Sequence, residues 1–179
     1  MVRSWVFMAR LTSSEIAIVP LTEADFAPLA QLAAEIWHQH YAAIVSADQL
    51  DYMLAGRYAP ERLRLYLTGQ DSWLKLLKVN GELVGYCSYA LTAKPRELQL
   101  EQLYLRADHQ GEGIGGRMLR HVDAEAHLRG CTSIMLTVNK KNLESIAIYR
   151  RFGFVVREEA IFEIGRGYVM DDYVMVKGL

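Results

Sequence analysis

The chain has 179 residues, of which 51% are hydrophobic and 23% charged, with a formal net charge of −1; this suits one globular domain with a full core and excludes a disordered chain. The near-neutral balance argues against broad binding to nucleic acid or an anionic membrane, and it leaves room for a local basic phosphate pocket. No apolar run approaches the ~18 residues of a membrane-spanning helix, and the opening Met1 to Arg10 is too short and interrupted for a signal peptide.

Residues 1 to 14 read as a flexible extension, Met8 being an equally good start, and residues 15 to 179 as a single domain. Ile16 to Val19, ended by Pro20, predicts a first strand. Thr22 with Asp25 resembles a capping box, after which Phe26, Leu29, Ala33, Ile36, Trp37 and His40 recur at helical spacing. Ser46 and Gln49 form a second such box, opening a short helix through Leu50, Met53 and Leu54 that Gly56 is expected to end. Pro60 suits the first position of a third helix with Leu63, Tyr66 and Leu67 on its apolar face. From Ser72 the period changes to two. Trp73 to Val79 and Leu83 to Leu91 flank Asn80-Gly81, a strong hairpin signal. Glu97 to Leu105 reads as a strand whose alternation slips from Leu98 and Leu100 to Leu103 and Leu105, which predicts a β-bulge at Glu101-Gln102.

Gly113 to Leu128 is helical by its stripe of Ile114, Met118, Leu119, Val122 and Ala126, with Gly130 as its stop. Cys131 to Val138 is the next strand, parallel to the one before it because a helix separates them. Asn142 to Phe152 predicts a helix stopped by Gly153, and Phe154 to Ile164 and Tyr168 to Lys177 are late strands joined by Gly165-Arg166-Gly167. Cys87 and Cys131 sit in apolar strand-like runs without CxxC spacing and read as buried free thiols, which favours the cytosol. The sum is a mixed α/β (α+β) fold: a mostly antiparallel central sheet of about seven strands with one parallel pair, flanked by helices.

One stretch carries chemistry. Leu103-Tyr104-Leu105 runs through a polar turn into Gln110-Gly111-Glu112-Gly113-Ile114-Gly115-Gly116 and then a helix, an arrangement that turns backbone N–H groups into an anion cradle. Glycines at 115 and 116 in a helix start each cost about 1 kcal/mol against alanine, so they want a reason. The run satisfies GxGxxG, but a Rossmann site needs it near the first strand of a parallel series and an acidic residue ending the next strand, where this chain has Val138-Asn139. A Walker loop is excluded, because no glycine is followed by Lys-Ser or Lys-Thr.

Read as Gln110-x-x-Gly113-x-Gly115, the loop resembles the pyrophosphate loop of the GNAT (GCN5-related N-acetyltransferase) superfamily. Val138-Asn139-Lys140-Lys141-Asn142 through Tyr149-Arg150-Arg151-Phe152-Gly153-Phe154 resembles that superfamily's second acetyl-CoA motif. The part from Ile36-Trp37-His38-Gln39-His40-Tyr41 to Gln49-Leu50-Asp51-Tyr52 is similar to PaiA-like spermidine/spermine acetyltransferases. The resemblance implies an acetyl-CoA-dependent N-acetyltransferase, cytoplasmic and dimeric, acting on a small-molecule amine with polyamines favoured. A non-catalytic acyl-CoA-binding module and a peptide N-terminal acetyltransferase are the alternatives.

It further implies a splayed parallel pair with pantetheine bonded to the backbone of Leu103 and Leu105, the thioester carbonyl held by an N–H near Tyr104 or Leu105, and the diphosphate on residues 110 to 116. Asn142 is expected to bond the pantetheine arm or to cap its helix, and Ser145 stands where many members have alanine. Arg117, Lys140, Lys141, Arg150 and Arg151 are candidates for the CoA 3′-phosphate. Tyr149 falls where the superfamily commonly places the tyrosine that protonates, or hydrogen-bonds, the leaving thiolate. An aliphatic amine with pKa near ~10 needs a base or a water chain, and Glu101 at the bulge is the first candidate. Trp37, Tyr41, Gln49 and Tyr52 are candidate acceptor-pocket residues with Glu35 or Asp48 as nearby acids, and their helical spacing suits core positions equally. His38, His40 and His109 are too scattered to claim, and no metal site is expected.

Overall fold

The computed structural model describes residues 14–179. The expected N-terminal extension therefore lies outside the described residues apart from Ser14. In chain order come β1 (Ile16–Pro20), α1 (Phe26–Tyr41), α2 (Ala47–Arg57), α3 (Pro60–Thr68), β2 (Ser72–Val79), β3 (Glu82–Leu91), β4 (Glu97–Leu105), α4 (Ile114–Leu128), β5 (Ser133–Asn139), α5 (Leu143–Arg151), β6 (Val155–Gly165) and β7 (Tyr168–Gly178). The strands form one sheet in the order β1-β2-β3-β4-β5-β7-β6. Among the described residues only β4 and β5 pair in parallel, as the helix between them requires.

Two apolar clusters cover the two faces of the sheet. Leu98, Leu100 and Leu105 of β4 meet Ile114, Met118 and Val122 of α4 and Ile146 of α5 on one face; Leu29, Ile36, Trp37, Leu50 and Leu63 of the first three helices cover Leu74, Leu76 and Tyr86 on the other. The predicted bulge explains how β4 serves both. Ser88 pairs with Gln102 and Tyr89 with Leu100, so Glu101 is the extra residue. It keeps the β4 leucines together and turns Gln102 and Tyr104 toward α1.

β4 and β5 stay paired only from Glu97–Leu100 against Ser133–Leu136, whereas β5 follows β7 to its end at Asn139 opposite Asp172. Residues 101–105 therefore part from 137–139, and the sheet opens into a slot. Arg106 N–H bonds the Val84 carbonyl on β3, and alternation along the strand turns the backbone of Leu103 and Leu105 to the open side while Tyr104 faces β3.

Several expectations need correction. Gly56 does not end α2, because Tyr58 N–H still bonds the Leu54 carbonyl and the helix runs to Arg57. Leu67 is exposed, since α3 turns only Leu63 and Tyr66 inward. β5 begins at Ser133, because Cys131 N–H is used by the Ala126 carbonyl to close α4. Both cysteines are free and buried.

Candidate active site

A cavity of about 1440 Å³ follows the slot, walled by the end of α1, α2, β4, the 107–116 loop, the end of β5, α5 and the β6–β7 hairpin. It exceeds the ~300–1,000 Å³ of ordinary small-molecule pockets and has room for a nucleotide-sized ligand beside a second substrate. At one end lies the glycine loop. Gly111 and Gly113 have φ of 84° and 77°, a left-handed backbone that side chains resist. Gly116 packs closely, since a Cβ there would meet the Phe152 ring at 3.1 Å, tighter than ordinary contact. The N–H groups of residues 111 to 116 find no carbonyl acceptor among the described residues. Amides left without a carbonyl acceptor in the turn ahead of a 15-residue helix and in its first residues make an anion cradle.

Gln110, Gly111, Gly113, Gly115 and Gly116 line the cavity, whereas the Glu112 and Ile114 side chains do not, Ile114 being core. Gln110 Nε2 donates to the Leu105 carbonyl at 3.1 Å and so closes one of the two open backbone sites. Of the five candidate 3′-phosphate partners only Arg151 lines the cavity. Lys140 is corrected outright, because Asp171 and Glu159 hold its Nζ at 2.5 and 2.8 Å.

Tyr149 projects from α5 into the cavity, packed edge-on against Phe154. Burial pushes its phenol well above the ordinary tyrosine value, with the neighbouring Tyr41 adding to the effect, so it stands as a protonated donor at neutral pH. Its hydroxyl has no hydrogen-bond partner among the described residues. Asn142 caps α5, its Oδ1 accepting from Ser145 N–H at 3.2 Å, and its Nδ2 lies 2.9 Å from His40 Nε2. That nitrogen must then be an acceptor, leaving the His40 proton on Nδ1. Burial holds His40 below the usual histidine value despite Glu144 nearby, and it is neutral. His40 belongs to the site; the sequence pattern gave it no distinguishing partner.

The floor toward the first helices is aromatic. Trp37 and Tyr41 pack with Tyr104 at ring distances of 5.4 and 6.4 Å, and the Tyr41 and Tyr104 hydroxyls are 2.8 Å apart. Beneath them Trp37 Nε1 donates to Tyr86, which adjoins Tyr58, which donates to Gln102 Oε1 at 2.7 Å. Trp37 is thus both core and wall. Gln49 is not a wall residue: its Nε2 donates to the Val169 carbonyl at 3.2 Å, tying α2 to β7. Tyr52 lines the cavity and makes the matching tie to the Ile164 carbonyl at 2.9 Å.

Glu101 lines the cavity from the bulge, its Oε2 accepting from Tyr66 at 2.9 Å and Ser88 at 3.2 Å. The other expected acids, Glu35 and Asp48, lie outside it. Two carboxylates that sequence reasoning passed over do line it, Glu144 and Asp172. Asp172 is 6% exposed, and burial pushes its carboxyl up to about 6.

A family model described as the acetyltransferase (GNAT) family matches residues 31–154. The chain belongs to the GNAT acetyltransferase family. An uncharacterized N-acetyltransferase of Mycobacterium tuberculosis is 27% identical over 159 residues, covering 89% of this chain and 99% of that protein. The spermidine N(1)-acetyltransferase of Thermoplasma acidophilum is 25% identical over 147 residues, 80% and 90% of the two chains. Among solved structures, a PaiA N-acetyltransferase from Thermoplasma acidophilum in complex with coenzyme A superposes with a TM-score of 0.78 at 23% identity, over 92% of this chain and 99% of the other. This acetyltransferase uses acetyl-CoA, and the free amides of its loop together with the length of its slot fit a donor that carries a diphosphate on one end and a thioester on the other.

Proposed function

We propose that this GNAT acetyltransferase acetylates the primary amine of a small molecule by direct attack on the thioester, a polyamine-like acceptor being favoured. The observation that carries this reading is one cavity holding the free amides of 111–116, the protonated Tyr149 phenol and the Glu101 carboxylate together. Bound acetyl-CoA supplies the activated acetyl group. The amides of 111–116 hold its diphosphate, the open backbone of Leu103 and Leu105 pairs with the pantetheine amides as an added strand does, and the Leu105 N–H polarises the carbonyl. Gln110 releases the Leu105 carbonyl as the arm enters. Asn142 and Ser145 fix the start of α5, Arg151 faces the 3′-phosphate, and Tyr149 gives a hydrogen bond or its proton to the departing sulfur. Glu101 receives a proton from the amine, while Trp37, Tyr41 and Tyr52 wall the acceptor side. No cysteine lines the cavity, which suits transfer without an acyl-enzyme.

The spermidine relative supports the polyamine preference. A second reading, an acceptor that also bears a carboxylate such as an amino acid or a short peptide, is favoured by Arg57, which lines the cavity without an ion pair among the described residues. A panel of polyamines, amino acids and peptides assayed by thiol release separates the two, and polyamine turnover with no turnover of carboxylate-bearing amines is the expected result. Tyr149→Phe should lower kcat about 100-fold while acetyl-CoA still raises the melting temperature. No such thermal shift in the wild type would sink the reading. The free buried thiols support a reducing compartment, the cytosol. Exposed apolar residues on the outer strand β6, Val155 and Ile161 among them, support a homodimer.

A further inference from the structure

Converting an alkylammonium into an N-alkylacetamide strips two protons from nitrogen. The N–C bond forms, the C–S bond breaks and the sulfur takes back one proton, so one proton leaves for solvent. Glu101 accounts for a single acceptor, and both of its resolved hydrogen bonds, from Tyr66 and Ser88, fall on Oε2. Across the cavity stands a carboxylate with no part in the steps assigned to Glu101 and Tyr149. Asp172 sits on β7 where β5 and β4 have parted, lining the cavity although only 6% exposed. Its Oδ1 receives one long bond of 3.4 Å from Asn139 Nδ2 on β5, and its Oδ2 has no donor among the described residues.

A buried carboxylate ordinarily has a cation or several donors. The cation that acts on it, Lys140, is already taken by Asp171 and Glu159. The groups that act on Asp172 are Asn139 at the end of β5, Lys140 next to it, Asp171 on its own strand and Tyr41 of α1, and Glu159 on β6 is bound to Lys140. Tyr41, whose hydroxyl is bonded to that of Tyr104, lines the same cavity as Asp172 and Tyr149.

We propose that Asp172 is a second proton acceptor of the transfer, its Oδ2 taking the proton that the amine nitrogen loses as the N–C bond forms. The proton that Asp172 takes is matched, by way of solvent in the cavity, by the one that returns to Tyr149 in place of the proton given to sulfur, while the proton taken by Glu101 leaves as the net proton released. Burial that pushes Asp172 up to about 6 suits this task, since a base works best when its pKa lies near the operating pH.

The inference rests on the acetyltransfer reading, and Asp172→Asn, nearly isosteric and still able to bond Asn139, separates the two. In the wild type kcat/KM should fall on the acid side with a limb near pH 6. In Asp172→Asn that limb should vanish and kcat should drop about 100-fold, with the acetyl-CoA thermal shift retained. Glu101→Gln should keep the limb. In the protein without ligands, a 13C-labelled aspartate carboxyl resonance should titrate with a midpoint near 6 and be missing from Asp172→Asn. Wild-type kcat, or a surviving limb, in Asp172→Asn would overturn the role of Asp172 and leave acetyl transfer standing, as would the absence of an aspartate titrating near 6. Loss of the acetyl-CoA thermal shift in the wild type would overturn both.

Discussion

Asp172 costs the fold stability at neutral pH. Its pKa in the folded protein, about 6, lies above the ~3.9 of an unfolded chain, so the native state binds the proton more readily than the unfolded one. Its contribution is therefore most favourable in acid and is lost as the pH rises through 6, by about 3 kcal/mol in total. Asp172→Asn should accordingly raise the melting temperature more at pH 8 than at pH 4.5, which paired thermal scans check. Gly113 is the opposite kind of residue, chosen for its backbone. With φ at 77° and nothing within 4 Å of the place a Cβ would occupy, Gly113→Ala meets no clash but strains the left-handed turn by about 1–2 kcal/mol. It should weaken acetyl-CoA binding, read by calorimetry, more than it lowers the melting temperature.

Among the elements, α2 is the one that joins distant parts of the chain. It packs little into the core, with only Gln49 and Leu50 buried, yet Gln49 and Tyr52 reach the backbone of Val169 and Ile164 at the tip of the β6–β7 hairpin. That hairpin supplies Phe162, Arg166, Met170 and Asp172 to the cavity. Each tie contributes about 1 kcal/mol, so Gln49→Ala combined with Tyr52→Phe should lower the melting temperature by about 4–8 °C. Hydrogen exchange over residues 162–170 should accelerate, and KM for the amine should rise while the affinity for acetyl-CoA holds. The bulge in β4 is the other decisive element. One extra residue, Glu101, both places a carboxylate in the cavity and lets β4 serve two cores.

At the scale of the molecule, β6 is an edge strand whose outer face is largely uncovered, with Ile161 70% and Val155 62% exposed. Edge strands of this kind invite pairing with a second copy. Sedimentation should find a dimer, and Ile161→Lys should shift it to monomer without altering the acetyl-CoA thermal shift. The seven strands, the hairpin at Asn80-Gly81, the bulge and the glycine loop were legible in the sequence, because each depends on interactions within one or two turns or on a two-residue period. The places of Tyr149 and Glu101 on the cavity wall were legible too, the first through its motif and the second through the broken alternation. Those of His40, Arg57 and Asp172 were not, and Gln49, Asp48 and Glu35 do not line the cavity. Nothing local marks Asp172 apart from Asp171 on an alternating strand. Only the pairing of β5 with β7, after β4 has turned away, decides that one of these carboxylates meets solvent and the other is buried beside Tyr41.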